Sequence, residues 1–366
     1  MKLTDRKWKE FKIGELFQVS GTITTKPQDL IPNGKTPRIT CAATNNGLDD
    51  LYQNTPTETG GVLTVDSATI GFTSYQGRDF IATDHVEKIA LEGQSISPAL
   101  GLFLKQSIDK AIMGKYNYGY KFAQTRIKQQ TILLPTNTQG SPDFEFMEAY
   151  IKELMYKKRL EYINYATTQL KEIRKEGRKE GRKEGRNALI PLQSKRWKEF
   201  LIGGSNGIFK LRASYSGIDK NKLLNNTDLK VPYITRSDMN NAISLFVGEN
   251  QQPKYKKDRG NVLSIGLDTQ TVFYQPHSFY TGQNIQIIYN EVINKYDALF
   301  ICNLLKKQLQ KFNWGGNGAT LGRLSKTKIL LPINNKNQPD YKYMEQYTKN
   351  IFEQKYKIYL RYAQTH

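Results

Sequence analysis

Along most of the chain, short apolar runs alternate with turn residues, and the period of the pattern then changes. Residues 60–75, GGVLTVDSATIGFTSY, predict two strands about a turn, and residues 260–274, GNVLSIGLDTQTVFY, predict the same unit again. Residues 86–91 and 284–289 predict further strands. Residues 98–113 and 295–312 predict short helices, the second with Leu304, Leu305 and Leu309 on its apolar face. From Ser141 onward the pattern turns helical, with Ser141 as the predicted cap, Pro142 in the first position and Asp143 in the first turn, where the helix dipole favours a carboxylate. Met147, Ile151, Leu154, Ile163, Ala166, Leu170 and Ile173 then recur at helical spacing as one apolar seam. If helical from Pro142 to Arg186, the element has about 45 residues and a length of roughly 68 Å. A shorter copy begins at Pro339, with Met344, Tyr347, Ile351 and Ile358 as its seam.

The whole pattern is written twice. Trp8, Lys9, Glu10 and Phe11 recur as Trp197, Lys198, Glu199 and Phe200. Pro37, Ile39 and Thr40 recur as Pro232, Ile234 and Thr235, and Tyr75 with Gln76 as Tyr274 with Gln275. Ile132 to Pro135 recur as Ile329 to Pro332, and Pro142, Asp143, Met147, Glu148 and Tyr150 as Pro339, Asp340, Met344, Glu345 and Tyr347. An ordered series of this length predicts two copies of one fold in tandem. The fold class expected is α+β: tandem duplicated α/β domains separated by long helices whose seams pair antiparallel, like a coiled coil, in a pseudo-two-fold arrangement. Between the copies stands Lys175 to Arg186, KEGRKEGRKEGR, one tetrapeptide three times over. Lys, Glu and Arg favour helix, while each glycine costs roughly 1 kcal/mol relative to alanine.

Charge changes the picture further. The 54 basic and 34 acidic residues among 366 leave a formal charge of +20, which implies a polyanionic partner, nucleic acid first and an anionic membrane surface second. The two cysteines, Cys41 and Cys302, are in no metal-ligand spacing and fit a reducing, cytoplasmic compartment. No apolar run is long enough to predict a membrane span.

Catalytic patterns are missing: no phosphate loop, dinucleotide fingerprint, zincin motif, nucleophile elbow, or Asn-Pro-Pro-Tyr run for methyl transfer is present. Pro142 with Asp143 and Pro339 with Asp340 read as helix starts rather than nuclease motifs. Residue types that read DNA are instead abundant, because Arg and Lys pair with guanine and Asn and Gln with adenine in the major groove. One candidate segment offers Arg38, Asn45 and Asn46, matched by Arg236, Asn240 and Asn241; Asn-Asn-Gly is equally good turn chemistry. A second offers Gln76 and Arg78, matched by Gln275 and His277. A third, aromatic and basic, offers Lys115, Tyr118, Lys121 and Arg126, matched by Trp314, Asn317 and Arg323; its alternative is an aromatic plug over a sheet end. No catalytic, cofactor-binding or metal-ligating residue is singled out.

Trp-Lys-Glu-Phe, Pro-x-Ile-Thr, Tyr-Gln, Ile-Leu-Leu-Pro and a Pro-Asp helix, in that order and twice, resemble the specificity subunit of a type I restriction-modification system. The resemblance covers essentially the whole chain. It implies a non-catalytic DNA-binding protein with target-recognition domains at residues 1–140 and 188–337, a central conserved spacer helix at 141–187 and a C-terminal one at 338–366. It implies double-stranded DNA with a split recognition sequence, two methyltransferase subunits and restriction subunits as partners, and no membrane. S-adenosylmethionine, ATP and magnesium then belong to the partner subunits, and this chain carries no cofactor. In such subunits central repeats are associated with spacer length; one helical four-residue unit adds roughly 6 Å, close to two base-pair steps. The alternatives are the recognition subunit of a related type II fused restriction-modification system, or a stand-alone nuclease.

Overall fold

A computed structural model of the chain describes residues 1–68, 70–179, 191–224, 228–313 and 316–365. The repeat copies beyond Lys179, and with them the expected helix to Arg186, lie outside the described residues, as does Trp314. Contacts divide the chain into two compact units, Met1–Tyr162 and Ile163–His366.

The first unit contains β1 (Lys7–Lys12), α1 (Ile13–Leu16), β2 (Gln18–Gly21), β3 (Pro32–Ile39), β4 (Leu48–Tyr52), β5 (Val62–Asp66), β6 (Thr73–Gln76), β7 (Ile81–Ala82) and β8 (Val86–Ala90). These are followed by α2 (Pro98–Ile112), α3 (Gln124–Gln129), β9 (Thr131–Thr136) and α4 (Phe144–Lys179), which runs on into the second unit. That unit continues with β10 (Trp197–Leu201), β11 (Lys210–Ala213), β12 (Val231–Ile234), β13 (Ile243–Val247), β14 (Val262–Gly266), β15 (Val272–Gln275), β16 (Tyr280–Thr281), β17 (Ile285–Tyr289), α5 (Lys295–Leu309), α6 (Leu321–Ser325), β18 (Lys328–Pro332) and α7 (Tyr341–Thr365).

Topology repeats strand for strand. A four-stranded sheet of order β2-β8-β5-β6 is matched by β11-β17-β14-β15, and a three-stranded sheet of order β4-β3-β7 by β13-β12-β16. The opening and closing motifs of each copy pair with each other: Trp8 faces Pro135 and Phe11 faces Ile132, while Trp197 faces Pro332 and Phe200 faces Ile329. Strands β5 and β14 are the central strands of their sheets and are buried throughout, their polar residues Thr64, Asp66 and Ser264 included. Helix α2 covers the first of these sheets and α5 the second. At Gly101 the backbone of α2 comes so near Tyr75 that an added Cβ would lie 2.3 Å from the ring.

Two sequence expectations change here. The cap of α4 is Asp143 rather than Ser141, because the Asp143 carboxylate accepts the Phe146 N–H at 3.0 Å and Arg6 Nε at 2.8 Å. Asp340 does the same for α7, accepting the Tyr343 N–H at 3.1 Å and Lys195 Nζ at 2.7 Å. A carboxylate accepts both a helix-end N–H and a cation, which a serine hydroxyl cannot match.

The seam also differs from its expected register. Met147 and Met344 are buried in the domain cores, with Ile151 and Tyr347 packed against them. Ala166, Leu170 and Ile173 are buried and Ile163 is half-buried, but Leu154, Ile351 and Ile358 are exposed. On α7 the inward row is Met344, Thr348, Phe352, Tyr356 and Leu360, in steps of four, with Phe352 and Leu360 half-buried and the others buried. Each such step turns about 400°, so the row winds around α7 as it passes from the domain core to α4. Within the second unit Arg174 meets Glu353, Glu176 meets Lys349 and Tyr165 meets Tyr356, so the two helices run antiparallel.

Candidate nucleic-acid interface

The segments singled out as readers separate into side chains that hold the loops and side chains that the loops present. Asn46 and Asn241 both take left-handed backbone, φ 56°, which asparagine tolerates better than most residues. Asn46 Nδ2 donates to the Tyr75 carbonyl at 2.7 Å, and Gln76 Nε2 donates to the Asn46 carbonyl at 3.2 Å and to Thr64 Oγ1 at 3.0 Å. The second unit repeats the clamp: Asn241 Nδ2 donates to the Tyr274 carbonyl, and Gln275 Nε2 to the Asn241 carbonyl and Ser264 Oγ. Gln76 and Gln275 are buried. This corrects their assignment as base readers: their amides are used up in fastening the Asn-Asn turn to the sheet. Asn45 and Asn240 remain exposed on the same turns, with Asn45 Nδ2 donating to the Leu48 carbonyl.

Arg126 and Arg323 also serve their loops. Arg126 donates to the Lys121 carbonyl at 2.8 Å and lies 4.1 Å over the Tyr120 ring. Arg323 donates to the carbonyls of Gly318 and Gly316. Asn317 Nδ2 reaches the Lys311 carbonyl. Arg38 pairs with Asp49 at 2.8 Å and its side chain is only 12% exposed, whereas Arg236, paired with Asp268, is 43% exposed. These acidic partners carry no motif and were not legible as such.

What the loops present is a different set. Arg78, Lys115 and His277 are exposed and make no side-chain hydrogen bond or ion pair among the described residues. Tyr118 is 78% exposed with Lys121 Nζ 5.2 Å from its ring centre. Sequence reasoning missed the apolar neighbours Ile70, Phe72 and Met113, all exposed. Gly71, whose added Cβ would lie 2.6 Å from Phe122, seats the β5–β6 turn against the end of the aromatic loop. An exposed run of apolar residues at a turn tip was the available signal. Cys41 faces the same turn, and burial, with the Asp66 carboxylate beside it, pushes its thiol up to about 12. In the second unit two of the segments meet the β14–β15 turn: Arg236 pairs with Asp268 on it, and the Ala319 N–H donates to its Leu267 carbonyl at 2.9 Å, while His277 follows β15 at the other end of the hairpin.

Each unit also holds a buried, paired carboxylate. Glu58 pairs with Lys88 at 2.5 Å and accepts the Ile23 N–H; Asp258 pairs with Arg212 at 2.5 Å and accepts the Tyr215 N–H. Burial outweighs the guanidinium and raises the Asp258 carboxyl above its ordinary value. Among the described residues no group of three or more His, Cys, Asp or Glu side chains is placed to hold a metal ion, and no helix is long and apolar enough to cross a membrane.

The specificity subunit of the type II restriction enzyme BgcI from Heyndrickxia coagulans is 34% identical over 154 residues, 42% of this chain and 45% of that protein, so the match spans under half of the relative's length. Among solved structures, the S subunit of a type I restriction-modification system from M. genitalium aligns with 100% of this chain and 94% of its own, at 13% identity and a TM-score of 0.48. The HsdS subunit from Thermoanaerobacter tengcongensis aligns with 97% and 96%, at 13% identity and a TM-score of 0.32. A family model described as the type I restriction modification DNA specificity domain matches residues 5–165 and again 195–359, and the chain belongs to that family.

Proposed function

We propose that the chain is a non-catalytic specificity subunit that reads a split sequence in double-stranded DNA, one half with each duplicated domain. The observation that carries this is the combination of a twofold family match with loops that share their fastening but differ in the side chains they present. On this reading, residues 1–140 and 188–337 are the recognition domains, and 141–187 with 338–366 form the spacer to which methyltransferase subunits dock. Restriction subunits complete the assembly, and S-adenosylmethionine, ATP and magnesium act in those partners. Arg78, Lys115, Tyr118 and Lys121 are the reading side chains of the first domain, and Arg236, Asn240 and His277 those of the second. The net charge of +20 supports phosphate contact, and affinity should fall steeply with salt as counterions are released.

The test is a domain exchange. Replacing residues 1–140 by the corresponding domain of another specificity subunit, in a complex with adenine methyltransferase subunits, should change one half of the methylated sequence and leave the other. A change in both halves defeats the modular reading. Cleavage by the purified chain with magnesium alone would favour a nuclease instead. The likeness to a type II specificity subunit favours, as a second reading, the recognition subunit of a fused restriction-modification enzyme. An adjacent reading frame that joins methyltransferase and nuclease in one polypeptide would select it.

A further inference from the structure

Among the described residues of the helical pair, Lys349 is the most deeply buried cation, with a side chain only 3% exposed. Burying an ammonium is costly unless it is paired, and this one has partners from three elements. On its own helix Glu345 lies 2.5 Å away, across on α4 Glu176 lies 2.6 Å away, and the Tyr296 ring of α5 lies 5.0 Å below the charge. The internal duplication supplies a control. The corresponding residues of α4, Glu148 and Lys152, form the same pair at 2.5 Å, but there the lysine is 66% exposed. The pair is therefore inherited with the helix, and only in the second unit is it covered and given a third partner.

That third partner is the glutamate of the first full Lys-Glu-Gly-Arg copy. One turn earlier the chain reads Lys171-Glu172-Ile173-Arg174, so glutamates recur every fourth residue from Glu172 into the repeat. The apolar seam described on α4 ends at Ile173, and the next position in the same row is Gly177, which offers no side chain to pack. Among the described side chains beyond Ile173, Arg174 and Glu176 meet α7 through ion pairs, with Glu353 and Lys349. A displacement of one copy would move α4 by roughly 6 Å while offering Lys349 another glutamate, turned only about 40° from the first.

We infer that Lys349 is a positioning residue for half-site spacing: it fastens Glu176 to α7 and to α5 of the second domain, and the spacer is counted from that point. The inference rests on the split-site reading, and its test separates the two. In the full chain with Cys41→Ser and Cys302→Ala, Arg174→Cys and Glu353→Cys report the pairing of α4 with α7 through a short bismaleimide, with no DNA present. Lys349→Met should lower that crosslink about fivefold or more, the population change that loss of one to two kcal/mol brings, and Glu176→Gln should lower it less. In the parent background, a panel of duplexes that share half-sites but differ in spacing should be bound with flatter preference by Lys349→Met, with half-site sequence preference retained. Parental crosslinking in both variants overturns the proposal; should Lys349→Met fail to fold, the half-exposed Glu176→Gln decides. If the parent binds no split site, the split-site reading fails while the crosslink still judges the fastening.

Discussion

The two units share a backbone plan but not their surfaces. The Asn-Gln clamp, the aspartate caps of α4 and α7 and the stacking of Trp8 on Phe103 and of Trp197 on Phe300 occur in both. The positions that the loops expose differ: Arg78 stands opposite His277, and the aromatic loop with Tyr118 opposite a glycine-rich one. The shared residues hold the fold of each unit, and in the proposed function the differing exposed side chains are those that meet the DNA. The buried ions differ between the units as well, although Glu58 with Lys88 and Asp258 with Arg212 both hold the fold.

This comparison can be broken most severely at Asp258. Asp258→Ala strands Arg212 and the Tyr215 N–H, and should destabilise the second unit by about 3–5 kcal/mol, as loss of one partner of a buried pair does. Thermal unfolding of residues 163–366 against 1–162 within the full chain, followed by hydrogen exchange, would show whether the loss stays in one unit. An even loss across both would contradict their separate description.

The next effect is confined to α5, whose third position holds buried Asp297 where α2 has Leu100. Burial pushes its carboxyl up to about 6; the Asn294 N–H and Lys349 oppose this, and Glu345 adds to it. A raised carboxyl stabilises the fold only while protonated, so the parent should lose stability as pH rises from about 4 through about 6. Asp297→Asn removes that loss, and its advantage should open over this window to at most about 3 kcal/mol. Equal pH profiles for parent and variant would refute the assignment.

Smaller again, Gln76→Ala and Gln275→Ala should each cost about 2 kcal/mol of stability, because a buried carbonyl loses its donor. Both should leave the recognised sequence unchanged once the protein is folded, and an altered methylation site would return these glutamines to the reading surface. The smallest effects belong to the presented side chains. Arg78→Ala and His277→Ala should leave the melting temperature unchanged and cost about 1–2 kcal/mol of binding, each at positions of one half-site only. A uniform loss over all sequences would mark phosphate contacts instead.

Much of the fold was legible because it was written twice. The predicted strands at 60–75 and 260–274 and the helices at 98–113 and 295–312 follow from periodicity that depends on neighbours in sequence, and the antiparallel pairing of the long helices from the need of the chain to return. The reading residues were less legible. Gln76 and Arg78 stand two positions apart with chemistry equally suited to DNA, and only the sheet register, which places Gln76 opposite Val62 and its amide on Thr64, shows that one of them is structural. The seam of α7 was misplaced for a similar reason: Ile351 and Ile358 are as apolar as Phe352 and Leu360, and their exposure depends on where the domain core lets the helix turn.

The sequence by itself determined that two like domains exist and that a charged repeat stands between them, because duplication and period are properties of order alone. Tertiary structure decided which polar side chains are consumed in holding loops, that Trp8 closes on Pro135 and Trp197 on Pro332, and that Lys349 is covered while Lys152 is not. Those outcomes depend on contacts between residues far apart in sequence, and a hydrogen bond or a buried charge has no signature until both partners are in place.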